Sequence, residues 1–177
     1  YCSSDYRDLL ADDAIHAVLV LTRHGSHASI AVEALKAGKH VFVEKPLAVD
    51  ESQLEGVAEA LAANDHPLLM VGFNRRFSRF SRWLHTRLSD RAVPLAMHCT
   101  VNAGAVDPKS WVHDPEQGGG RVIGEVCHFV DLAQYLTGSL PVRAHAETLE
   151  TEGYEPSDNV MVTLKMANGS VVSIAYL

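Results

Sequence analysis

Three short, predominantly apolar runs punctuate the first part of the chain: residues 17–21 (AVLVL), 40–43 (HVFV) and 68–71 (LLMV). Runs of this length predict strands buried on both faces, because a helix needs a longer segment and a 3.6-residue period. Between the first two, residues 26–37 place Ile30, Ala31, Ala34 and Leu35 on one helical face, with Gly38 as the stop. Between the second and third, Asp50 and Gln53 form a capping box, and Leu54, Val57, Ala58 and Leu61 make the expected buried stripe. The order β-α-β-α-β implies a parallel sheet with right-handed crossovers.

Beyond Gly72 the pattern changes. Residues 75–91 are basic and carry Phe77, Phe80, Trp83, Leu84 and Leu88, which predicts a connecting helix. A strand over 95–101 is followed by a long loop, 104–120, that holds Pro108, Pro115 and Gly118-Gly119-Gly120. Then comes a helix of about a dozen residues, with Val126, Val130, Ala133 and Leu136 facing inward and Gly138 as its cap. Residues 159–166 and 170–176 alternate as strands around Ala167-Asn168-Gly169, and Asn-Gly is the strongest short hairpin signal. The fold class expected is α/β. Residues 1–75 make a parallel sheet, and residues 76–177 make an α+β domain with a mainly antiparallel sheet and helices on one face.

Composition narrows the function. The 177 residues are 47% hydrophobic and 21% charged, which is globular, and a net charge of -7 argues against a partner recognised through its phosphate backbone. Nucleic acid is therefore not an expected partner. No apolar run approaches the roughly 20 residues of a membrane span, so no membrane partner is expected either. Cys2, Cys99 and Cys127 are too few and too widely spaced for a disulfide framework or a zinc knuckle, and they fit a reducing cytoplasm.

In an open parallel sheet, ligands bind beyond the carboxyl ends of the strands. The three runs exit into Thr22-Arg23-His24, Glu44-Lys45-Pro46 and Gly72-Phe73-Asn74-Arg75. Polar loops after buried strands are common, yet a lysine held between a carboxylate and a proline suits proton or hydrogen-bond donation to a hydroxyl.

The stretch Ala37-Gly38-Lys39-His40-Val41, ending in Glu44-Lys45-Pro46, resembles the AGKHV-EKP motif of the glucose-fructose oxidoreductase/inositol dehydrogenase (Gfo/Idh/MocA) family. Thr22 to His27 is similar to that family's TPNxxH loop, with Arg23 and His24 in place of Pro and Asn. Gly118-Gly119-Gly120 leading to Glu125, His128 and Asp131 resembles the helix whose histidine completes the family's active site. The resemblance implies a Rossmann-type first domain present as its C-terminal half. It also implies NAD or NADP as cofactor, and a sugar, nucleotide-sugar or cyclitol as substrate. Lys45 and His128 would form the catalytic pair, with Glu125 and Asp131 as carboxylates. Thr22, Arg23, His24, His27, Glu44, Lys45, Pro46 and Asn74 would face the cofactor. Lys45, Arg75, Trp111, His113, Glu125 and His128 would face the substrate, no resident metal is implied, and the antiparallel sheet would build a homodimer or homotetramer.

Two features depart from that pattern. Many members carry an aspartate where this chain has Gly124, which leaves Glu125, on the same helical face as His128, as the replacement. The phosphate-cradling GxGxxG does not occur, and the chain opens on Tyr1 without Met and closes at Leu177 inside an expected strand. It reads as a fragment, incomplete at both ends, with weak cofactor affinity on its own. Two other readings remain open: a non-catalytic dimerising fragment, and a metal-dependent hydrolase or lyase built on Glu125-x-x-His128.

Overall fold

A computed structural model describes residues 2–63, 67–149 and 158–177. The chain divides into two compact units: residues 1–72 with 114–119, and residues 73–113 with 120–177. The expected boundary lay after residue 75. The units part three residues earlier, and a short piece of the long loop joins the first.

In the first unit, helix α1 (Tyr6–Leu10) precedes the parallel strands β1 (Ala17–Val20), β2 (His40–Val43) and β3 (Leu69–Val71), ordered β1-β2-β3. Helix α2 (His27–Lys36) ends in a Schellman motif: Gly38, at φ +74°, donates to Leu35 O (2.9 Å), and Lys39 donates to Ala34 O (3.0 Å). Helix α3 (Glu51–Ala62) starts at Asp50, whose Oδ1 accepts from Gln53 N at 2.8 Å. Both helices cover one sheet face, where Ala31, Ala34, Leu35, Val57 and Ala60 pack on Val20, Val41 and Val43.

Two expectations are corrected here. Leu54 is 49% exposed and Ala58 is exposed, so the buried stripe of α3 is Val57 and Ala60 with half-buried Leu61. Val57, Ala60 and Leu61 join the core of this unit, and Leu54 does not. The strands are also not buried on both faces, because Leu19, Phe42 and Met70 form one row across the other face, with Leu19 67% exposed.

In the second unit, helix α4 (Arg79–Leu88) is followed by β4 (Ala96–Val101), helix α5 (Cys127–Thr137), β5 (Pro141–Thr148), β6 (Val160–Met166) and β7 (Val171–Tyr176). The sheet order is β4-β7-β6-β5, with β4 parallel to β7 and the remaining pairs antiparallel. The core forms where Val126, Phe129 and Ala133 meet the inward residues of β6 and β7, including Val162, Leu164, Val172 and Ile174. Burial alternates strictly along β6, as an antiparallel sheet covered on one face requires. Among the described residues no helix is long and apolar enough to cross a membrane.

Candidate active site

The carboxyl ends of β1, β2 and β3 lie at one edge of the first sheet, as parallel pairing demands, so residues 22–24, 44–46 and 72 all emerge there. His27, 1% exposed, braces this edge from the first turn of α2: its Nδ1 lies 2.8 Å from Pro46 O and its Nε2 lies 2.9 Å from Thr22 O. A neutral ring can donate to only one of these carbonyls at a time. Thr22 Oγ1 and Ser26 Oγ pair at 2.7 Å, and Ser26 Oγ donates to Arg23 O at 2.9 Å, which closes the turn. His27 thus ties the exit of β1 to the exit of β2.

Lys45 follows the central strand by two residues and is half-buried; the Lys45–Pro46 peptide is cis. Its backbone N–H donates to Glu44 Oε2 at 3.2 Å. Glu44 packs against Gly72, where a methyl group would stand 3.1 Å from the carboxylate and from the Phe42 ring. A side chain at the β3 exit would therefore crowd Glu44 and the Phe42 ring.

A second staple holds residues 114–119 on the β1 exit loop. His24 Nδ1 lies 2.8 Å from Gly118 O, Gly25 donates to Gln117 O at 2.9 Å, and Arg23 bonds the Gln117 side chain. Asp114 shapes the stapled turn by accepting from the backbone of Gln117 and Glu116, both at 2.9 Å, and these bonds hold its carboxyl below the usual range. Gly119 and Gly120 take φ of +72° and +79°, where a side chain is strained, so the glycine run does serve as a permissive turn.

The second unit positions His128. Residues 122–126 form one turn of π-helix ahead of α5, and this turn carries Gly124 and Glu125. Such turns disturb the i to i+4 ladder and recur at functional sites. His128 and Asp131 are buried, and Phe73 meets the His128 ring edge-on with centroids 6.2 Å apart. Arg75 lies over the Phe129 ring at 4.4 Å. Both oxygens of Asp131 accept from Arg76, Nε at 3.0 Å and the second guanidinium nitrogen closer still. That bond pushes the Arg76 pKa further up. Asn74 is exposed at the start of this segment.

A buried cation that sequence reasoning passed over lies just before the π-turn. Arg121, 6% exposed, donates to Gly104 O (2.7 Å), Asp158 Oδ2 (3.4 Å) and Tyr176 Oη (2.6 Å). Trp111 and His113 sit on the 3-10 turn Trp111–His113, and His113 Nδ1 lies 3.7 Å from the other oxygen of Asp158. Burial is the main cause raising the Tyr176 phenol pKa. Among the described residues no group of three or more His, Cys, Asp or Glu side chains is placed to hold a metal ion.

Residues 1–73 match the sequence family described as "Oxidoreductase family, NAD-binding Rossmann fold", and residues 93–176 match the "GFO/IDH/MocA C-terminal domain". This chain belongs to the Gfo/Idh/MocA family. It is 31% identical to the uncharacterised oxidoreductase YrbE of Bacillus subtilis over 98% of its own length and 52% of that relative's. It is 30% identical to inositol 2-dehydrogenase 2 of Saccharopolyspora erythraea over 97% of its length and 50% of that relative's. A solved levoglucosan dehydrogenase in complex with NADH superposes with a TM-score of 0.80 at 26% identity, covering 98% of this chain and 50% of that one. The chain spans about half the length of the curated relatives it matches. Within the family's pattern, Lys45 lies in the first unit, whereas Glu125, His128 and Asp131 lie in the second.

Proposed function

We propose that this chain carries the catalytic residues of an NAD(P)-dependent dehydrogenase that transfers a hydride between a sugar, nucleotide-sugar or cyclitol hydroxyl and a nicotinamide. The observation that carries the reading is Lys45, two residues beyond the central strand of a parallel sheet whose residues match an NAD-binding family. The residues present fit a cofactor's nicotinamide end. At the exits of β1 and β2, exposed Thr22 and Arg23 stand beside His24, His27, Glu44 and Pro46, with His27 joining the two exits through Pro46 O and Thr22 O, and exposed Asn74 is the further residue assigned to the cofactor. The cofactor, when bound, supplies the hydride acceptor.

The chain's own residues manage the proton. Lys45 donates a hydrogen bond to the reacting hydroxyl, which favours the developing alkoxide, and His128 accepts the hydroxyl proton as general base. Glu125, on the turn before His128, takes the place of the family's aspartate and binds a neighbouring substrate hydroxyl. Arg75, Trp111 and His113 complete the substrate site. We place the protein in a reducing cytoplasm, in keeping with cysteines that are few and widely spaced in the sequence.

The outward sheet face bears the rows Ala96, Val171, Lys165, Arg143 and His98, Ser173, Thr163, His145, and this face joins subunits into a homodimer or homotetramer. Sedimentation that gives a monomer at micromolar concentration removes that assembly.

NADH fluorescence titration and NAD+-dependent oxidation of myo-inositol and levoglucosan test the activity, using the protein at its natural length. Lys45→Met is expected to cut kcat/KM by a factor of at least ~100, with an unchanged circular dichroism spectrum. Turnover retained in that variant refutes the assignment.

A further inference from the structure

The segment that leaves β3 meets α5 side chain by side chain: Phe73 on His128, Arg75 on Phe129, and Arg76 on Asp131. His128, Asp131 and Tyr135 stand at i, i+3 and i+7, so they share one helical face. Arg76 covers two of them, with its guanidinium bidentate to Asp131 and 5.4 Å from the Tyr135 ring centre. Bidentate arginine pairs fix geometry as well as charge. We propose that Arg76 is a positioning residue: by neutralising Asp131 one turn from His128, it makes His128 alone, and not a His128–Asp131 couple, the group that takes the substrate proton. This rests on the reading of His128 as general base.

The reason is electrostatic. Asp131 is 7% exposed, and a buried carboxylate without its cation would hold an additional proton jointly with the imidazole three residues away. A base that is still protonated does not accept a proton, so the alkaline plateau of activity would be reached only at higher pH. Arg76 removes that penalty, and in doing so restrains the helix face that carries His128. The other ionisable groups on elements packed against α5 include Arg75, the α4 residues Arg79, Arg82, His85 and Arg87, Arg91, which bonds the Leu136 and Thr137 carbonyls, Glu125 of the π-turn and Arg121 just before it, and Cys99 and Tyr176 of the sheet. All of these remain in the variants below, so a change in titration reports on the Arg76–Asp131 pair, and the double variant separates its two members.

The test uses histidine-selective NMR titration of His128, assigned through its loss in His128→Asn, together with the pH profile of kcat/KM for NAD+-dependent oxidation of myo-inositol or levoglucosan. Arg76→Met is expected to move the His128 titration and the acidic limb upward by about one pH unit, roughly a tenfold loss of kcat/KM on that limb. Asp131→Asn leaves an unneutralised guanidinium and should move both downward. Arg76→Lys should stay near the parent, and Arg76→Met combined with Asp131→Asn should return towards it. A merely structural role predicts lower stability in both single variants with no opposed shifts, and that result overturns the proposal. If Arg76→Met fails to fold, the downward shift in Asp131→Asn decides alone. Absence of turnover in the parent removes the dehydrogenase reading, while the NMR arm still decides the role of Arg76.

Discussion

Gly25→Ala should undo the staple between the β1 exit loop and residues 114–119. A methyl group at position 25 would stand 1.9 Å from Glu116 O, 3.0 Å from Glu116 C and 3.2 Å from Gln117 Cα, all backbone atoms with no rotamer to escape into. Relief requires the facing strand of chain to retreat by more than an ångström. Such a retreat breaks the Gly25 N to Gln117 O bond and strains the His24 contact to Gly118 O. Overpacking of this kind costs about 1–3 kcal/mol, and each lost bond about 1 kcal/mol. The loop can also simply detach, which caps the total at about 2–4 kcal/mol. Gly56→Ala is the matched control: nothing lies within 4 Å of its would-be methyl, inside α3, so it should stabilise by about 0.5–1 kcal/mol. Urea denaturation measures both variants, and limited proteolysis within residues 104–120 reports on the loop. A Gly25→Ala protein with parental stability and parental cleavage would refute the argument.

Arg121→Met removes a buried cation from three acceptors and leaves Asp158 half-buried beside His113, so it should destabilise by about 3–5 kcal/mol in chemical denaturation. Tyr176→Phe removes only one of those bonds and should cost about 1 kcal/mol. Asp114 and Asp50 both titrate below the usual carboxylate range, Asp114 through the backbone N–H groups of Gln117 and Glu116, Asp50 through the Ser52 hydroxyl and the Gln53 N–H. Their folded pKa values lie below the unfolded ones, so their contribution is complete above about pH 4 and is lost as pH falls through the folded values. Asp50→Asn and Asp114→Asn should therefore narrow their stability gap to the parent between about pH 5 and about pH 3, and a constant gap across that range contradicts the assignment.

The elements that a one-dimensional pattern encodes strongly were legible. Residues 40–43 are β2 as expected, Gly38 ends α2, and Gly138 at φ +65° ends α5. The same rules hid β5. Its inward positions include Ala144 and Ala146, too small to make an alternating apolar signal, and it lies at the sheet edge with its residues exposed almost throughout. Leu54 misled for the converse reason. Periodicity gives the angle of an apolar stripe but not which neighbour it meets, and a leucine at the stripe's border faces solvent when the sheet lies on the Val57 side.

The candidate site divides in the same way. Glu44-Lys45-Pro46 could be read because parallel strands bring their carboxyl ends to one edge whatever else the chain does. Arg76 and Asp131 are 55 residues apart, and no spacing rule links a turn after a strand to a helix that far away. Arg121 carried a weak signal: a cation placed directly after three glycines, at the mouth of an apolar helix, must either reach solvent or be paired inside. The chain takes the second course, and the acceptors of Arg121 come from the loop start at Gly104, the β6 approach at Asp158 and the end of β7 at Tyr176. One guanidinium thus fixes the loop that bears Trp111 and His113 to the turn that bears Glu125. The residues that touch substrate in the proposed reaction were visible because their chemistry is local. The residues that hold them were not, because their meaning exists only once distant segments have met.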